Sequence, residues 1–146
     1  MTDKPEMDND HPRELILSKI KVDENRNEQV IILKEKDGSR YLPVVIGIAE
    51  VNAIKLKLSG IEPPRPMTHD LLLRVIEHFG ATLKSVLIDR LENSTFYAKL
   101  LIAGNGSQED THVDARPSDS IALALRANAP ILANPAVLDA AGVDGL

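Results

Sequence analysis

Short β-branched runs fill the first third of the chain, helical spacings of apolar residues follow, and the two patterns then interleave to the C-terminal end. Residues 14–22 and 29–34 are such runs, separated by the polar DENRNE, and an Asp37-Gly38 turn signal precedes YLPVVI. The pattern predicts three strands that are antiparallel neighbours. After Gly47, Ala49, Ala53 and Leu56, together with Ile54 and Leu58, recur at helical spacing. The run stops at Gly60, a residue suited to the left-handed position past a helix end. Residues 62–66 hold three prolines, which fix φ and push their predecessors towards extended backbone, so Arg65 sits on a stiff strap.

Thr68 can then cap a second helix whose apolar stripe is Leu71, Leu72, Val75, Ile76 and Phe79, with Gly80 ending it. Residues 82–89 and 95–102 read as strands joined by the polar turn RLENS, and THVDA at 111–115 reads as another. Pro117 to Ala127 spaces Ile121, Ala124 and Leu125 on one helical face. ILA makes a short strand, and Asn134-Pro135 suits the cap and first position of a last helix. Strands interspersed with single helices, without strict βαβ alternation, predict an α+β domain with a largely antiparallel or mixed sheet and about four helices. Residues 1–12 are polar, acidic and aperiodic, which predicts a flexible tail ahead of a single domain at 13–146.

A chain of 146 residues suffices for one core. With no cysteine it has no disulfide, no thiolate metal site and no thiol nucleophile, which leaves imidazole, carboxylate, hydroxyl and amine chemistry. Its apolar runs fall well short of the ~20 residues that span a bilayer, and no signal-peptide layout opens the sequence, so the expected compartment is the cytoplasm, with no membrane partner. The formal charge is -5, of which residues 1–12 carry -3 through Asp3, Glu6, Asp8 and Asp10 against Lys4. That balance argues against a tight nonspecific nucleic-acid binder, although brief contact with a phosphodiester is compatible with it. The four aromatics, Tyr41, Phe79, Phe96 and Tyr97, are too few for an extended stacking platform.

The unusual polar residues gather in EPPRPMTHD (62–70) and DARPSDS (114–120). His69 falls in a first helical turn, where free amides and the positive end of the dipole disfavour an imidazolium and leave a neutral ring able to take a proton. An ordinary hydrogen-bonded residue is the alternative. Asp70 fits a first-turn acid that stabilises its helix, and Glu50 is either a site carboxylate or a favourable charge at the start of the first helix. Arg65, pre-ordered between two prolines, can engage a phosphate at low entropic cost or form a structural ion pair. Arg116 precedes a helix start rich in free amides and can hold a phosphate there. Alternatively, Ser118 or Asp119 caps that helix while Arg116 pairs with Asp114. The other histidines, His11, His78 and His112, read as incidental, and no strongly specific catalytic signature is present.

Taken in order and spacing, YLPVVIG, EPPRPMTHDLL, TFYAKL and DARPSDSIALALR resemble the bifunctional nuclease domain family, whose members are described as cleaving both RNA and DNA. The resemblance covers about residues 14–142. It implies an α+β fold, a homodimer and phosphodiester hydrolysis with nucleic acid as a transient substrate. It marks Glu50, Arg65, Thr68, His69, Asp70, Asp114, Arg116, Ser118 and Asp119 as site positions. On that basis His69 is the expected general base or acid, and Arg65 and Arg116 face the phosphoryl oxygens, with Thr68 and Ser118 completing the phosphate contacts. Asp70, Asp114 or Asp119 would orient His69 or hold a metal, with Asp114 and Asp119 as candidate ligands for Mg²⁺ or another divalent ion. Two other readings remain open at this point: a noncatalytic module that binds a nucleotide or other anion, and a dimeric interaction domain.

Overall fold

The computed structural model describes residues 11–23, 25, 28–106 and 108–145. The first ten residues of the expected tail lie outside that range. An N-terminal meander is built from β1 (Arg13–Asp23), β2 (Glu28–Glu35) and β3 (Tyr41–Ile46), each antiparallel to the next. The register pairs Ile31 with Val44 and Leu33 with Leu42, which puts their buried side chains on one face, as the period-2 pattern requires. A second meander follows later, from β4 (Thr82–Glu92), β5 (Thr95–Ala103) and β6 (Thr111–Ala115). Within the expected turn, only Asn93 and Ser94 connect β4 to β5. Both have positive φ, 50° and 63°, the conformation that suits a two-residue hairpin.

The two meanders are joined by β7 (Ile131–Ala133), three residues long, which lies antiparallel to β1 and parallel to β4. The result is one seven-stranded mixed sheet in the order β3-β2-β1-β7-β4-β5-β6. With the four helices among the described residues, α1 (Ile48–Leu58), α2 (Thr68–His78), α3 (Pro117–Ala127) and α4 (Pro135–Ala141), this is the expected single α+β domain. Pro43 falls in edge strand β3, where a missing ladder donor is tolerated. The core gathers Leu15, Ile31, Leu33, Val44, Val86 and Ile88 from the sheet with Val51, Ile54, Ile121, Leu123 and Leu138 from α1, α3 and α4.

Each outer strand leads directly into a helix: β3 into α1 through Gly47, and β6 into α3 through Arg116. Helices α1 and α3 pack on each other, and α2 packs on α3 and β4. Two expectations for α2 change. Thr68 is its first helical residue and Met67 occupies the cap position, so the hydroxyl does not cap the helix. The apolar stripe also faces largely outwards: Leu71, Leu72, Val75 and Phe79 are exposed, Phe79 to 78%, and of its five members Ile76 alone is partly buried. The inward side of the helix carries buried His69 and partly buried Leu73 and Ile76, because the contact with α3 is made there.

Candidate functional site

The first turns of three helices meet at one place. Glu50 is the third residue of α1, His69 the second of α2, and Asp119 the third of α3, with Arg116 at the cap position of α3. Acids in these positions face the positive ends of their helices, which stabilises both the carboxylates and the helix starts. Gly47 lets Glu50 fold back over the start of α1, since a Cβ there would lie 3.0 Å from Glu50 Oε2.

A continuous chain of contacts links the cluster. His69 Nε2 is 2.9 Å from Asp119 Oδ1, Arg116 Nε donates to Asp119 Oδ2 at 2.9 Å, and Arg116 Nη2 lies 3.0 Å from Glu50 Oε1. Burial works to raise the pKa of Asp119, but the hydrogen bonds and positive charge of Arg116, with the contact from His69, outweigh it and hold the carboxyl below the usual range. Arg116 is in turn held above its ordinary value, chiefly by its hydrogen bond to Asp119 and by the charges of Asp119 and Glu50.

An ionised carboxylate only accepts, so His69 Nε2 carries the hydrogen and, in the neutral ring, Nδ1 keeps the lone pair. Arg116 has five N–H groups and spends one on each carboxylate, which leaves three for a ligand, on a side chain 67% exposed. His69 and Glu50 are buried, so an exposed cation stands in front of a fixed acid–imidazole pair.

The remaining candidates divide. Thr68 lines a cavity of about 600 Å³ with His69, Asp119, Arg116 and Glu50, while buried Ser118 lines a second, of about 730 Å³, which shares Glu50 and Arg116 with the first. Arg65 lines neither. It borders a third cavity of about 530 Å³ with Lys57, Arg74, Asp70 and Arg126, which adjoins the His69 cavity at Leu56. Asp70 does not reach His69. One of its oxygens accepts from the Met67 amide at 3.1 Å and the other from Arg126 Nε at 2.6 Å. Burial raises its pKa, and these two hydrogen bonds with the charge of Arg126 more than offset that, so the carboxyl sits below its ordinary value.

Asp114 is exposed on edge strand β6 and makes no hydrogen bond or ion pair with the cluster, and Arg116 pairs with Asp119 and Glu50 in its place. Among the described residues no three His, Asp or Glu side chains converge as a metal-binding set. His112 and His78 are exposed, the latter edge-on to Phe79.

Arg126 was not among the candidates read from the sequence. Its side chain is 5% exposed, and it donates to Asp70, to the Ala122 carbonyl and to the Ala53 carbonyl, tying α3 to α2 and α1. The signal available was a lone arginine closing the apolar run IALAL in the last turn of a helix.

A model of the family described as Bifunctional nuclease domain matches residues 31–145. The uncharacterized protein Rv1829 of Mycobacterium tuberculosis is 47% identical over 124 residues, 85% of this chain and 73% of its own length. Bifunctional nuclease 1 of Oryza sativa subsp. indica is 34% identical over 107 residues, covering 71% of this chain and 32% of the relative. Bifunctional nuclease 1 of Arabidopsis thaliana is 28% identical over 108 residues, again 71% of this chain and 33% of the relative. The chain thus spans about a third of the plant proteins it matches.

Proposed function

This chain belongs to the bifunctional nuclease domain family, and we propose that it hydrolyses phosphodiester bonds in RNA, in DNA or in both. The observation that carries the reading is the His69–Asp119–Arg116–Glu50 linkage, which combines an oriented base with an exposed, partly unspent guanidinium. Asp119 holds His69 by Nε2–H, so Nδ1 takes the proton from a water as that water's oxygen forms its bond to phosphorus. The three free N–H groups of Arg116 stabilise the charge that builds on the phosphoryl oxygens, and Glu50 keeps the guanidinium in place. The P–O bond to the leaving nucleotide breaks, and its oxygen is protonated by the imidazolium or by solvent. Arg65, with Lys57 and Arg74, none of which forms a salt bridge among the described residues, takes a neighbouring phosphate of the same strand.

Both oxygens of Asp119 and one of Glu50 are engaged by His69 and Arg116, so the cluster offers a divalent cation one free carboxylate oxygen, with water and substrate phosphate left to supply the rest of its shell. The chemistry assigned to His69 and Arg116 needs no such ion, and cleavage is expected to survive EDTA. Arg116→Ala is expected to slow cleavage by roughly 10²–10³-fold, the usual cost of losing one transition-state donor, with Arg116→Lys in between. Micromolar nucleotide binding with no turnover in identically purified wild type would instead support the noncatalytic binding module.

The outward stripe of α2 supports a second copy of the chain as partner, in line with the homodimer that the motif resemblance implies. Leu71→Glu with Val75→Glu, both at exposed positions, is expected to convert a dimer to a monomer in light scattering without unfolding it. A wild type that is monomeric at all concentrations would remove the pairing. No helix among the described residues is long and apolar enough to cross a membrane.

A further inference from the structure

Two of the cavities meet at one pair of side chains. Glu50 and Arg116 line both the 730 Å³ cavity and the 600 Å³ cavity, and both volumes fall in the ~300–1,000 Å³ range of small-molecule sites. The walls differ from the shared point. Beyond it the larger cavity is walled by Pro43, Val45, Ile48 and Phe96, with Val45 58% and Ile48 66% exposed. The smaller one is walled by Ala49, Ala53, Leu56 and Met67, with Asn52 as a neutral polar group.

The charges sharpen the contrast. Glu28 and Glu50 face the larger cavity, and Glu50 and Asp119 face the smaller one, so among the described residues the only arginine or lysine lining either is the shared Arg116. A phosphate is disfavoured inside either cavity and favoured at the point between them, where Arg116 has N–H groups to give. Uncharged, flat, largely apolar groups suit the two cavities themselves.

We infer that the site holds one phosphodiester at Arg116 with the nucleosides on either side of it splayed into the two cavities, and so takes unpaired strands in preference to duplex. The inference rests on the hydrolase reading above and adds its substrate class. Phe96 is a single ring at the edge of the core, enough to contact one base where an extended platform is absent. A base paired in a duplex is turned to its complement and stacked on its neighbours. Both flanking bases would have to leave the helix together, and the energy of unstacking and unpairing them counts against duplex substrates.

The test maps cleavage bond by bond along a 5′-labelled single strand of about twelve nucleotides, in DNA and in RNA, intact or with one abasic residue, and along the matching duplex. A lost base contact of the usual size gives a roughly tenfold slower cut at the two bonds flanking the abasic residue, with other bonds unchanged and the duplex cut at least tenfold more slowly. The paired substitution Val45→Ala with Ile48→Ala, at exposed positions, should slow the intact strand and have no further effect at the bond whose base is missing from that cavity. Normal rates at the flanking bonds, or equal cutting of duplex and single strand, would overturn the inference while leaving the hydrolase reading intact. No cleavage of any intact strand by wild type would remove both.

Discussion

Replacing His69 with Ala is expected to slow cleavage by about 10²–10⁴-fold, the usual contribution of a positioned general base, while the domain stays folded. The fold should tolerate the change because Asp119, once freed of the imidazole, keeps its 2.9 Å contact with Arg116 Nε and so is not left as an unpaired carboxylate. Asp119→Asn should also be costly. The asparagine amide can present a donor to His69 Nε2, which reverses the tautomer and leaves Nδ1–H where the lone pair is needed. Initial rates on a labelled strand, with circular dichroism as the control for folding, check both. A loss below threefold in His69→Ala would remove the imidazole from the reaction.

Arg126→Met is expected to cost roughly 3 kcal/mol of stability, the largest structural effect of any single side chain in the site region. Methionine can fill much of the volume but returns none of the three donated hydrogen bonds. The Asp70 carboxylate and the Ala53 and Ala122 carbonyls then lose their partner at a place where the arginine is 5% exposed. Breaking a buried ion pair from one side is costly for the same reason. Because Asp70 also accepts from the Met67 amide at the start of α2, the loosened helix carries His69 with it, so activity should fall in parallel with the urea midpoint. A shift under 1 kcal/mol would mean that the three-helix tie is redundant with the α2–α3 packing.

Local elements were readable because their signals are local. The meander β1-β2-β3, the helix stop at Gly60 with φ 74°, and the helix at Pro117–Ala127 each follow from spacing, turn residues or a fixed proline φ within a dozen residues. What joins them was not. Strand β7 is three residues long, yet it sits at the centre of the sheet, pairing Arg13 with Ala133 and Ile88 with Ala133. Nothing in ILA distinguishes a central strand from an edge strand, since its place depends on partners far away in sequence. The α2 stripe shows the same limit. Periodicity reports that Leu71, Leu72, Val75 and Phe79 share a side of the helix, not whether this chain covers that side.

The candidate site was legible as a set of positions and illegible as a set of partners. The motif resemblance marked His69 and Asp119, but the 50-residue separation between them hides their contact from any local pattern. Asp70, Asp114 and Asp119 were all open as the group that orients the ring, and the nearness of Asp70 in sequence did not decide it. One step along a helix turns a side chain by about 100°, and that step directs Asp70 to Arg126. Arg65 and Arg116, alike in sitting beside proline, end up in different cavities for the same kind of reason: one is on the strap between α1 and α2, the other at the start of α3.

The central claim is that His69 and Asp119 act as one unit on a phosphodiester, and the most direct measurement is a double-substitution cycle. Wild type, His69→Ala, Asp119→Ala and the double variant, purified identically, are assayed for initial rates on the same single strand. If the two residues form a unit, each single change lowers the rate by at least a hundredfold and the double variant is no slower than the worse of the two. Losses that multiply, or a His69→Ala protein that cleaves as fast as wild type, would contradict the account.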